Sequence, residues 1–84
     1  MSKFYKSKDY ERALVKYEST ALKKPNSVRA HANCAAALVK LERWEEALSA
    51  CDKALFLDPA HAKATLRRKV ALAEMMMQFW RKGR

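Results

Sequence analysis

A shift of 34 residues lays this 84-residue chain on itself without a gap, and no other feature narrows its fold as far. Lys6 falls on Lys40, Tyr10 on Trp44, Glu11 on Glu45, Ala13-Leu14 on Ala47-Leu48, Pro25 on Pro59 and Ala30 on Ala64. A fixed period of roughly 20 to 50 residues marks small units that cannot bury their apolar faces alone and stack to do so. Inside the period the apolar residues recur at three and four. His31, Cys34, Ala35, Leu38 and Leu41 form one helical stripe, and Trp44, Ala47, Leu48, Cys51, Ala54 and Leu55 form the next. Only Glu42-Arg43 separates the two, which leaves room for an antiparallel hairpin and little else. Ala35 and Ala47 are small enough to let its backbones approach closely. Pro59, just after Asp58, ends the second helix because its ring cannot continue the hydrogen-bond ladder. Helices are predicted over 2–7, 10–23, 28–41, 44–57 and 61–81.

Composition agrees with an all-α fold: one glycine (Gly83) and two widely spaced prolines, in a chain rich in Ala, Leu, Lys, Glu and Arg. No stretch approaches the roughly 20 apolar residues of a membrane span. Lys3, Lys6 and Lys8 interrupt anything resembling a signal peptide. Two cysteines, Cys34 and Cys51, argue for a reducing compartment rather than a disulfide framework, so the expected home is the cytoplasm, with the nucleus as the alternative. Both cysteines and His31 fall at hairpin-packing positions, and no metal or other cofactor is expected. A chain with one glycine has no glycine-rich phosphate loop, and no carboxylate pair or nucleophile–base set stands out, so no enzyme is expected. The net charge of +9 is uneven: +4 over residues 1–27, −1 over 28–62 and +6 over 63–84. Charge of that sign attracts acidic peptides, nucleic acid or anionic lipid. Without interleaved exposed aromatics or a reading motif, nucleic acid is set aside.

The pattern His31-x-x-Cys34-Ala35-x-x-Leu38, then Ala47-x-x-x-Cys51, then Pro59 resembles the tetratricopeptide repeat. The first unit keeps the second half of that pattern, Ala13-x-x-x-Tyr17 and Pro25, with the same spacing of twelve from alanine to proline. The resemblance covers nearly the whole chain. It implies antiparallel helix hairpins stacked as a right-handed superhelical segment, closed by a C-terminal capping helix. As one domain over 1–84, the chain divides into a partial repeat (1–27), a complete repeat (28–61) and the first helix of a third, acting as cap (62–84). Both ends read as truncations of the repeat pattern.

Stacked hairpins put their first helices on a concave groove whose side chains select an extended peptide. Groove-facing positions are Arg29, Ala32, Asn33, Ala36 and Lys40 in the second unit, and Lys63, Leu66, Arg67 and Val70 in the third. Lys63 and Arg67 are four apart and share a helical face. Asn33 lies one period before Arg67 and is expected beside it. Arg offers a directed pair of donors, Lys a point charge and Asn a neutral donor, a set that suits a carboxylate. Here the residues resemble a subclass: Asn33 in HANCAAALVKLERWEEAL, and Lys63 with Arg67 in HAKATLRR, look like the carboxylate-clamp repeats of co-chaperones. That resemblance implies that the three residues grip an acidic C-terminal tail such as the Glu-Glu-Val-Asp of the 70 and 90 kilodalton heat-shock chaperones. Arg29, Lys40, Leu66 and Val70 would be further groove contacts. The subclass also uses a Lys and an Asn from the first helix of its first repeat; here the Lys position precedes Met1 and Ser2 holds the Asn position. The plain alternative is a solvated basic face.

The tail RRKVALAEMMMQFWRKGR is a basic amphipathic helix with Met76, Phe79 and Trp80 as partner contacts, the type that calmodulin or an anionic surface takes. Immunophilin-type co-chaperones resemble this arrangement. Two other roles compete: its Met and aromatic side chains pack on the second hairpin as a cap, or an exposed Phe79 and Trp80 hold a homo-oligomer together. The whole chain then reads either as a peptide-binding module or as a structural scaffold contacting partners through this helix.

Overall fold

In a computed structural model the backbone of residues 2–82 and the side chains of residues 8–81 are described. Four helices follow one another: α1 (Ser2–Lys23), α2 (Val28–Lys40), α3 (Trp44–Leu57) and α4 (Ala62–Lys82). Each packs on its sequence neighbour, and α4 also touches α2. The result is all-α, with helices packed in adjacent pairs.

Turn chemistry repeats with the sequence. After α1, the Ser27 amide donates to the Lys24 carbonyl across Pro25; after α3, the His61 amide donates to the Asp58 carbonyl across Pro59. Proline at the second turn position presets the φ that such turns need. The last turn residue then caps the next helix. Ser27 Oγ accepts from the Ala30 amide at 3.2 Å, and His61 Nδ1 accepts from the Ala64 amide at 3.1 Å. Within the hairpin, α2 ends in a Schellman motif: the Glu42 amide bonds to the Val39 carbonyl and the Arg43 amide to the Leu38 carbonyl. Its left-handed position, φ 60°, is held by Glu42.

The core is small and made largely of alanine. Ala35, Ala47, Cys51 and Ala54 are sealed between α2 and α3, with Leu14 of α1 and Leu38 of α2 the largest buried aliphatics. A second cluster joins three helices through Ala32, Ala54 and Ala64, with Val28 and Leu55 at its edge. Ala32 therefore lies inside this helix junction and does not line a groove, which corrects its expected place. A side chain that small fits either location, and the period alone did not separate them.

One predicted break is missing. Separate helices over 2–7 and 10–23 were expected, and α1 runs unbroken through that point. Lys8 is the repeat counterpart of Glu42, but no glycine or proline interrupts residues 2–23. A left-handed residue costs about 1–2 kcal/mol. At Glu42 the packing of α2 against α3 offsets that cost; among the described residues α1 packs on α2 alone, so continuing the helix is cheaper. The cap is also built differently from the sequence expectation. Ala64 and Ala71 seal α4 against α2 and α3, with Leu72 and Met75 partly covered, while Met76, Phe79 and Trp80 remain exposed.

Candidate peptide-binding groove

The orientation of α4 follows from two observations. Ala64 and Ala71 are fully buried and define its inward stripe. Arg68 Nε reaches Asp52 Oδ1 of α3 at 2.9 Å, so the flank carrying Arg68 faces α3. At about 100° per residue, Lys63, Arg67, Val70 and Glu74 fall on the opposite flank, toward α2. Asn33 is half-buried on α2, and Ala32, its sequence neighbour, touches the Ala64 junction. The expected residues thus occupy two helices that pack side by side. Glu74 was missed by the sequence reading; the 34-residue shift pairs it with Lys40 and would have found it.

The charges are placed against helix stability. Neither α2 nor α4 has an acidic residue in its first turn, where the helix dipole favours one. Arg29 and Lys63 sit there instead, one period apart, adding two cations to two positive helix ends. Both are exposed, and Arg67 is half-buried. Among the described residues, Asn33, Lys63, Arg67, Arg29 and Lys40 have no side-chain hydrogen bond or ion pair. Arg68 does, with Asp52, so the basic run on α4 divides into one cation spent on α3 and others left open. Leu66 is exposed on the face of α4 turned away from its buried stripe, and Val70 lies between that face and the groove flank.

Other chemistry is sparse. Burial pushes the Cys34 thiol up, with the Glu18 charge adding and Lys53 opposing. Burial likewise raises Cys51, opposed chiefly by Arg67, whose guanidinium is close enough to be felt there. Both thiols are protonated packing groups at neutral pH. Among the described residues no three His, Cys, Asp or Glu side chains gather as a metal site, and no helix is long and apolar enough to cross a membrane.

A concavity of about 950 Å³ lies on the opposite side, between α1 and α3, with His31, Cys34 and Leu38 of α2 as its floor. Leu22 and Phe56, again 34 apart, are exposed on its two walls, and Glu18 and Asp52 are paired in the same way. The sequence reading overlooked this concavity. Its signal was an apolar residue off the helical stripe at the same position of both repeats. A smaller hollow of about 440 Å³ joins the start of α3 to the far half of α4, with Trp44, Met75 and Phe79 among its lining residues.

Helices packed in adjacent pairs in a 34-residue repeat, with no metal-ligating cluster among the described residues, define a helical-repeat interaction module. The chain belongs to the tetratricopeptide repeat family, whose profile matches residues 4–75. It is similar to sperm-associated antigen 1 of Mus musculus (48% identical over 65 residues) and of Homo sapiens (41% over 64). It is also similar to the heat shock protein sti1 homolog of Schizosaccharomyces pombe, at 35% over 71 residues. The matches cover 77%, 76% and 84% of this chain but only 7%, 7% and 12% of those proteins. No solved structure matches the chain.

Proposed function

We propose that this tetratricopeptide module is a non-catalytic receptor for acidic C-terminal peptides of the heat-shock-chaperone type, held in the groove between α2 and α4. One observation supports the reading: Asn33 on α2 and Lys63 with Arg67 on α4 stand on two packed helices with no side-chain hydrogen bond or ion pair among the described residues, and Lys63 occupies a helix start that an anion would improve. Similarity to a heat shock protein sti1 homolog supports the partner class. In this reading Arg67 takes the terminal carboxylate as a directed pair of donors, Lys63 supplies charge to an acidic side chain or to the same carboxylate, and Asn33 donates a neutral hydrogen bond. Arg29 and Lys40 extend the positive field along the peptide, and Glu74 sets its limit.

Titration of the chain with a peptide ending in Glu-Glu-Val-Asp, against the same peptide C-terminally amidated, tests this. Binding is expected to fall on amidation and with added salt. Arg67→Ala or Lys63→Ala should weaken it by about 1.5–3 kcal/mol each, the worth of a charge-assisted hydrogen bond, or roughly ten- to a hundredfold. Affinity indifferent to amidation, or no binding at all, would sink the clamp. The second reading, a scaffold that engages partners through α4, is favoured by the exposure of Met76, Phe79 and Trp80 beside Arg81. Calcium-dependent calmodulin binding that Trp80→Ala weakens would establish it.

A further inference from the structure

On the outer face of α4, Leu66, Val70, Ala73, Met77 and Trp80 follow one another at intervals of four, three, four and three. This is the spacing of a coiled-coil seam. All five are exposed: Leu66 63%, Val70 37%, Met77 52% and Trp80 67%, with Ala73 among them. They lie opposite the buried stripe of Ala64 and Ala71. One period earlier the counterparts of the first three are Ala32, which is buried, and Ala36 and Val39, which are partly buried. In α2, then, these positions make helix contacts; in α4 the first two carry larger side chains and stand exposed.

We propose that a second copy of this chain covers the seam, α4 against α4 in parallel and in register. Flanking charges select both the partner and the direction. In a parallel pair, a residue on one side of the seam faces the partner's residue five positions further on. Lys69 then meets the partner's Glu74, twice by symmetry. Arg67 faces the partner's Ala62, and Arg81 faces the partner's Met76, so no like charges oppose each other there. Turned antiparallel about Ala73, the pair would bring Glu74 near the partner's Glu74 and Arg67 near the partner's Arg81, two repulsions. Lys63 stands one heptad before Val70 on the same line, and its charge ends the seam at Leu66. The interface is short; it shares Leu66 and Val70 with the peptide reading, and Lys63, Arg67 and Glu74 border both. A weak, concentration-dependent dimer follows, strengthened by salt, because each copy carries +9.

Sedimentation equilibrium of the intact chain, without peptide, from micromolar to millimolar concentration should show monomer passing to dimer. Val70→Glu with Met77→Glu should leave a monomer of unchanged helical circular dichroism. Lys69→Glu and Glu74→Lys should each weaken the dimer roughly two- to tenfold, and the two together should restore it. Leu66→Cys and Trp80→Cys, each alone, should form oxidised dimers, since parallel seams place like positions together. A monomer at every concentration overturns the proposal, as does a dimer indifferent to Val70→Glu and Met77→Glu. Cross-linking only when the two cysteine variants are mixed identifies an antiparallel pair and overturns it too. Loss of peptide binding without loss of dimer, or the reverse, separates this inference from the clamp.

Discussion

Glu42 holds the hairpin turn with its backbone, at φ 60°, a region that non-glycine residues enter at a cost of about 1–2 kcal/mol. Two amides close the turn, from Glu42 to Val39 and from Arg43 to Leu38, and fix the chain in that conformation. Gly and Val both remove the Glu42 side chain, so comparing them isolates the backbone. Glu42→Val should be less stable than Glu42→Gly by about 1–2 kcal/mol, read as the difference in urea midpoint at constant slope. Equal midpoints would mean that the turn tolerates any residue. The turn's position was legible in the sequence, because only two residues separate the helical stripes. Its left-handed residue was not, since glutamate carries no mark of that conformation. The same division holds at the groove. The period assigned Asn33 to α2 and Lys63 with Arg67 to α4, which carry them, whereas it could not place Ala32, because alanine suits a groove wall and a helix junction equally.

Between helices, contact depends on the absence of side chain. Among the described residues, nine of the thirteen buried apolar side chains are alanine, and Ala47, Ala54, Ala64 and Ala71 have no exposed surface. Such a core brings backbones close but buries little apolar area per residue, so it resists enlargement more than it gains from burial. Ala47→Leu, between α2 and α3, should cost about 1–3 kcal/mol by overpacking, a fall of roughly 4–20 °C in Tm for a domain of this size. Ala62→Leu, exposed in the first turn of α4, should leave Tm nearly unchanged. If both variants melt alike, close alanine packing is not what joins the hairpin. Three helices and their turns could be read from alanine and proline spacing with ends shifted by a residue or so. The continuity of α1 could not, because periodicity reports which face is buried and only a neighbouring helix decides whether a chain folds back.

Over the whole molecule, 6522 Å² of surface remains accessible, against about 5100 Å² for a compact monomer of this mass. The excess fits a repeat fold that displays grooves, and it means that few groups are sealed away. Among the described titrating side chains Cys34 and Cys51 are the exceptions, both in the cluster that joins the hairpin and both pushed up by burial. Folding therefore makes each thiol hold its proton more tightly than the unfolded chain does. That preference stabilises the fold at pH below the ordinary thiol value near 9.0 and is lost as pH rises through the higher folded value. Urea midpoints measured from neutral to alkaline pH should hold level up to that range and then decline. The double variant Cys34→Ala, Cys51→Ala should start lower, having lost two buried side chains, and decline less steeply. Thiol-reactive probes should label both cysteines slowly in the native chain and fast in urea. Parallel alkaline declines in the two proteins would show that the thiols do not set the pH dependence.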